Sequence, residues 1–318
     1  MRKISTRRIT SLGEFGLIDR FDKLLQYDAS VVRGVGDDCA VLKKDKYTYE
    51  LFTTDLTVED VHFQKKKVTP FAVGYKALAR NLSDIAAMGG VAHHAVVALG
   101  LPKSMTIRSV DGLYSGIKKC ASAFGLSVVG GDISRSQRIV VAISVLGTVE
   151  KRNVILRSGA RVGDIVVTTG TFGGSMLKKH VTFTPRIKEA RFLTTTFSIH
   201  AMIDVSDGLV QDVGHIMRAS RVGCIIDGER VPVSSDALKL THRNYEKARE
   251  RALHDGEDFE LLFTVSPQTS TLLYERWRKV FNTPLTAIGR VVKGRQVIIK
   301  RGKTEEKISS ARQGYMHF

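Results

Sequence analysis

Aspartates recur in this chain where an apolar or β-branched run gives way to a loop, most of them beside Gly, Ser or Thr. They are Asp37 and Asp38 in GVGDDCAVL, Asp55 in LFTTDLTVED, Asp84 in NLSDIAAMGG, Asp132 in VVGGDISRS, and Asp204 and Asp207 in IDVSDG. Strand ends that feed short loops are where folds place chemistry. Several carboxylates converging there repel one another unless cations lie between them. Hard oxygen ligands of this kind suit Mg²⁺, which is held by a few carboxylates together with substrate phosphates. The pattern predicts a metal-dependent site for a polyphosphate, built by strands whose ends converge.

Between these acids the chain alternates strand-like and helix-like segments. Alternating apolar and β-branched residues predict strands over 48–54, 94–101, 126–130 and 139–147. Apolar residues at helical spacing predict helices over 71–88, preceded by Pro70 and ended by Gly89-Gly90, and over 105–124, closed by Gly125. The polar, basic stretch 148–163 reads as a connection between domains. Beyond it come a strand at 164–169, helices at 186–198 and 207–219 around the strand AMIDV, then CIIDG, a helix at 236–251, the strand ELLFTV, a helix at 268–280, and the strands AIGRVV and QVIIK. Strands and helices mix without a strict βαβ rhythm, so the expected fold class is α+β, in two domains at 1–150 and 151–318.

Composition narrows the class. A chain of 318 residues with 43% hydrophobic and 25% charged residues is an ordinary globular protein. No apolar run approaches the roughly 20 residues of a membrane span, and MRKISTRRITSLGEF lacks the apolar segment of a signal peptide. Cys39, Cys120 and Cys224 are far apart with no CxxC spacing, so free thiols in a reducing cytoplasmic setting are expected. Net charge is +17, but the basic residues are dispersed and not interleaved with aromatics, which argues against a nucleic-acid surface.

The individual motifs leave alternatives open. Asp37-Asp38 lies in a glycine turn, a metal site or a solvated loop. Asp55 follows Thr53 and Thr54, whose hydroxyls can complete an oxygen shell. Asp84 interrupts a helix pattern, with Asn81 and Ser83 making a polar patch that function explains better than stability. Gly130-Gly131-Asp132 is a short phosphate-turn candidate, while the Walker pattern and GxGxxG are absent. Asp204 and Ser206 fall on one strand face, and Asp207 is either part of the site or the N-cap of the next helix. His254-Asp255-Gly256-Glu257-Asp258 is a second acidic loop, and His62 is the histidine nearest the first acidic group.

Taken together, GEFGLIDRF, GVGDDCAVL, TTDLTVEDVHF, GYKALARNLSDIAAMGG, VVGGDIS, RSGARVGD, IDVSDGL, GEDFELLFTV and the terminal GYMHF resemble the thiamine-monophosphate kinases, within the aminoimidazole-ribonucleotide synthetase-like superfamily. The resemblance implies ATP-dependent phosphorylation of thiamine phosphate to thiamine diphosphate by direct in-line transfer. It implies several Mg²⁺ ions on Asp37, Thr53, Thr54, Asp55, Asp84, Asp132, Asp204 and Asp207, and ATP contacts from Tyr114, Gly131, Asp132, Arg157 and Ser206. It further implies substrate contacts from His62, Glu257 and Tyr315 or Phe318, with Asp207 and Arg157 nearest the chemistry. A homodimer pairing through amino-terminal sheets is expected. Asp255 and Met316 depart from the family pattern on the substrate side. Among rival superfamily members, the selenium enzyme's reactive Cys and the hydrogenase-maturation enzyme's carboxy-terminal Cys have no counterpart here, and NLSDIAAMGG with GEDFELLF favours the kinase over the ribonucleotide synthetase.

Overall fold

In–out alternation along the long central strands of the first half and continuous burial along the central strands of the second distribute them between two sheets. The computed structural model describes residues 8–308. In chain order the first half contains α1 (Gly13–Asp22), β1 (Val31–Arg33), β2 (Ala40–Lys43), β3 (Thr48–Val58), α2 (Pro70–Ala87), β4 (Val91–Leu101), α3 (Ile107–Phe124), β5 (Ser127–Arg135) and β6 (Val140–Glu150). The second contains β7 (Ile165–Thr169), α4 (Lys179–Thr182), α5 (Ile187–Thr196), β8 (Ile199–Asp204), α6 (Leu209–Ser220), β9 (Gly223–Asp227), α7 (Ser235–Leu240), α8 (Tyr245–His254), β10 (Leu261–Val265), α9 (Pro267–Val280), β11 (Leu285–Val292), β12 (Val297–Arg301) and β13 (Thr304–Ile308). Two sheets with helices packed on them fit the α+β class expected from the sequence.

The first sheet has the order β1-β2-β3-β6-β4-β5, antiparallel except for the β4–β5 pair. Every second residue of β6 is buried, so one face meets α2 and α3 through Val41, Leu51, Leu82, Ile85, Val97, Ile117 and Ile143. Each such Leu or Ile contributes roughly 1.5–3 kcal/mol relative to an exposed one. The other face is open and apolar, with Phe52, Leu56, Val96 and Val129 all exposed. Helices α2 and α3 touch through glycine: a Cβ on Gly74 would lie 1.9 Å from the Leu113 carbonyl oxygen, and one on Gly116 1.9 Å from that of Phe71.

The second sheet runs β13-β12-β9-β11-β7-β10-β8, and its strands β7, β10 and β8 are covered on both faces. Leu262, Ile203 and Ile226 pack with Val213 and Ile216 of α6, while Phe263, Met202 and Val167 pack with Leu193 of α5 and Trp277 of α9. Burial on both faces is why LLFTV reads as an unbroken apolar run.

Several expectations change. Strand β3 continues past residue 54, paired with β6 from Thr48↔Glu150 to Val58↔Val140, so Asp55 lies inside a strand and not at its end. Asp132 is likewise internal to β5. The predicted connection at 148–163 begins inside β6. The predicted helix at 236–251 is two helices, α7 and α8, broken where His242 and Arg243 take φ of 50° and 63°. Asp207 is not an N-cap: Gly208 occupies that position at φ 119°, a conformation only glycine adopts without strain. Helix α1 and strands β1, β2 and β13 were not anticipated.

Candidate active site

Helix α2 builds the site's spine. Thr69 caps it by accepting from the Ala72 N–H, and Pro70 opens its first turn. Lys76, Arg80 and Asp84 follow at four-residue intervals, with Ser83 beside them, so one helix face carries all four. Arg80 pairs with Asp55 at 3.0 Å, and the Thr53 hydroxyl donates to Asp84 at 2.6 Å. From the same face the Ser83 hydroxyl donates to Asp204 at 2.6 Å and the Lys76 ammonium to Glu257 at 2.5 Å. Thus α2 joins the strand residues of the first sheet to the loop ends of the second.

Asp38, Asp84 and Asp204 each bring one carboxylate oxygen within 4.8 Å of the others. Arg157 donates to Asp38 Oδ1 through Nη2 (2.6 Å) and Nε (3.2 Å), whereas Asp38 Oδ2 is buried without a hydrogen-bond partner among the described residues. Burial raises the Asp38 carboxyl above its usual range despite Arg157. Burial and then the neighbouring Asp55 and Asp204 raise Asp84 well above that range. For Asp204, burial followed by the Asp38 charge carries it up to about 7. An all-oxygen donor set with an orphaned buried oxygen and mutual repulsion fits a hard divalent cation.

Asp37, its sequence neighbour, points elsewhere. Its carboxylate accepts from the Arg157 backbone N–H (2.6 Å) and from Arg33 Nε (2.7 Å). Asp207 lies across the site, where burial and then Glu14 carry it up to about 6. Its own N–H donates to Asp212 at 3.1 Å, and Gln211 donates to its carboxylate at 3.2 Å. Asp207, Asp212 and His215 form a second group within 4.8 Å. Phe15 of α1 rests on the His215 ring at a centroid distance of 4.8 Å.

Two cavities meet at Asp207. The larger, about 770 Å³, is lined by Asp37, Thr53, Arg157, His215 and Phe15 as well as Asp207. The smaller, about 180 Å³, is lined by His62, Arg80, Ser206, Asp207, Glu257 and Phe259. In the latter, His62 accepts the Val58 N–H at Nδ1 (3.1 Å), and Glu257 is held at φ 62°.

The remaining predicted residues fall outside this junction. The Thr54 hydroxyl sits on the opposite face of β3 from Thr53, donating to the Ile143 carbonyl and accepting from Ser144. Asp132 pairs with Ala98, Ala98 with Ala142 and Ala142 with Leu56, which puts it on the open face. Three strand spacings, about 14 Å, separate it from β3. Gly131 is next to it, where a Cβ would strike the Val97 carbonyl oxygen at 1.9 Å. Tyr114 is partly exposed on α3. Asp255 accepts from the Gly174 N–H at 2.7 Å and pairs with Arg251. Tyr315, Met316 and Phe318 lie outside the described residues.

Sequence reading passed over Asp38 as the converging acid, together with Lys76, Arg80, His180 and Asp212. A signal existed for two of them: Lys76 and Arg80 recur at helical period with the predicted Asp84, in a segment already read as a helix. For Asp212 and His180 the linear order offered none.

The two sheets and the acid-lined junction between them define an AIR-synthase-related protein, and residues 36–149 match the family described as AIR synthase related protein, N-terminal domain. The chain is 34% identical over 296 residues to thiamine-monophosphate kinase from Rhodopirellula baltica, covering 90% of this chain and 92% of that one. With the thiamine-monophosphate kinase of Bacillus subtilis it shares 34% identity over 332 aligned positions, covering 96% and 100%. The solved structure AaThiL complexed with AMPPCP and TMP superposes with a TM-score of 0.84 at 32% identity, covering 99% of this chain and 100% of that one. The chain belongs to the thiamine-monophosphate kinase family.

Proposed function

We propose that this protein transfers the γ-phosphoryl group of ATP to thiamine phosphate, giving thiamine diphosphate and ADP. The observation that carries this reading is the pair of unequal cavities sharing Asp207, one for each substrate. The larger suits the nucleotide. A cavity of about 180 Å³ suits one ring of the acceptor, on the scale of the roughly 150 Å³ cavity that holds benzene. Relatives named for this activity, and a neighbour bound to AMPPCP and TMP, support the assignment.

Asp38, Asp84 and Asp204 would hold Mg²⁺, with Asp55, Asp207, Asp37 and Thr53 around them. Bound there, Mg²⁺ supplies positive charge between two anionic phosphates and stabilises charge spread over the transferring group. Arg157 is fixed by Asp38 and lines the larger cavity. Its Nη1 has no hydrogen-bond partner among the described residues, which leaves it to clamp a phosphate oxygen. Glu257 and His62 orient the acceptor in the smaller cavity. The nucleophile is a phosphate oxygen already ionised near neutral pH, so no side chain has to act as general base and transfer is direct.

Two copies complete the arrangement. The exposed apolar residues Phe52, Leu56, Val96 and Val129 share the open sheet face, so the first sheets pair in a homodimer. Asp132 and Gly131 then contact ATP from that interface, and Tyr114 from its flank. We take the two sheets as two domains, 1–150 and 151–318, with the active site at their junction. Three free, buried cysteines support a cytoplasmic setting. Incubation with ATP, Mg²⁺ and thiamine phosphate tests the activity: thiamine diphosphate is expected. ATP binding without that product would redirect the reading to ribonucleotide acceptors.

A further inference from the structure

We propose that Lys76 is a positioning residue for the acceptor, its buried ammonium pinning Glu257, His180 and the loop of His62 into one wall of the smaller cavity. This inference rests on the functional reading above.

Lys76 is 0% exposed in its side chain, so it cannot itself touch a ligand, whereas Glu257 is 18% exposed and lines the cavity. A lysine is almost never fully buried without a partner. Here its three N–H donors meet three partners: the His62 carbonyl oxygen at 2.7 Å, Glu257 Oε2 at 2.5 Å and His180 Nδ1 at 3.1 Å. The three belong to the loop after β3, the loop before β10, and α4. Two of these segments come from the second half of the chain, so one ammonium fastens walls contributed by separate parts of the fold.

The pair stays ionised near neutral pH. Burial pushes the Lys76 ammonium down to about 8, with Glu257 opposing that effect. Burial alone would raise Glu257, but its cationic and hydrogen-bonding neighbours carry it down to about 2. Glu257 also occupies φ 62° and Phe259 φ 51°, left-handed conformations that non-glycine residues keep only when their surroundings hold them. With Oε2 engaged by Lys76, Oε1 is left to a ligand. A fixed carboxylate in a ring-sized cavity selects a heteroaromatic group that carries positive charge or an amino donor. Lys76 therefore acts on acceptor affinity through Glu257, with no part in nucleotide binding.

Steady-state kinetics of Lys76→Met, Glu257→Gln and the double variant, varying thiamine phosphate and ATP separately, test this. Lys76→Met is expected to raise the acceptor KM at least tenfold with the ATP KM within twofold of wild type. Adding Lys76→Met to Glu257→Gln is expected to raise it less than threefold further, because both act on one contact. Should Lys76→Met not fold, His180→Gln serves in its place, with a severalfold rise confined to the acceptor KM. An unchanged acceptor KM, equal rises for both substrates, or additive effects in the double variant would overturn the pin. Wild-type protein that forms no thiamine diphosphate would instead defeat the functional reading.

Discussion

The Ser83 hydroxyl donates to the Asp204 carboxylate over 2.6 Å, tying the helix that covers the first sheet to the edge strand of the second. Asp204 would otherwise be a buried charge at a junction, facing Asp38 and Asp84. Neither sheet builds the acid cluster alone. Residues from both must meet before a cation or a phosphate has a place to bind.

Asp204→Asn is therefore expected to lower kcat by at least a hundredfold while the fold persists. Without metal the variant should melt no lower than wild type, since it removes one of three repelling buried acids. Circular dichroism melts alongside turnover measurements check both halves. Turnover within tenfold of wild type would contradict the ligand assignment.

Stabilisation by Mg²⁺ should grow with pH. Asp204 at about 7 and Asp207 at about 6 lie above the ordinary Asp value of about 3.9. The native state thus holds protons that the unfolded chain releases. This contribution to stability is present at low pH and is lost as pH rises through the folded values. Cation binding requires the ionised forms, so the rise in Tm on adding Mg²⁺ should be larger at pH 8 than at pH 5.5. Equal rises at both would count against a cation held by these acids.

Arg157 tests the electrostatic frame. Arg157→Met leaves Asp38 buried and uncompensated, and breaking such a pair typically costs about 3–5 kcal/mol. Arg157→Lys keeps charge but loses the two-nitrogen grip on Oδ1. Urea unfolding should rank wild type above Lys and Lys above Met, with kcat at least tenfold down in the Lys variant. A Met variant as stable as wild type would remove Arg157 from this role.

Val96 is 43% exposed on β4, in the open face of the first sheet. Val96→Lys should convert a dimer to a monomer in light scattering coupled to size exclusion. A dimer that survives the change would place the interface elsewhere.

Much of this fold was legible because periodicity survives in long, one-sided elements such as α2 and β6. Short or unusual pieces were not. Strands β1 and β2 are three and four residues long, too short to show alternation. The break between α7 and α8 depends on two non-glycine residues at positive φ. In the site, the acids were found as residue types in turns, but direction was not. Asp37 and Asp38 are adjacent and diverge, so only the folded chain separates the one held by Arg33 from the one facing Asp204. Thr53 and Thr54 diverge for the same reason, on opposite faces of one strand. Lys76 was hidden because a lysine in a helix reads as solvated until its burial is known.

The most direct test of two substrates meeting at Asp207 is a rapid-quench single turnover with ATP labelled in the γ-phosphoryl group, Mg²⁺ and thiamine phosphate. The account predicts that label appears in thiamine diphosphate as fast as ADP forms and in equal amount, with none on the protein. Label trapped on the protein before product, or ADP released without labelled thiamine diphosphate, would contradict it.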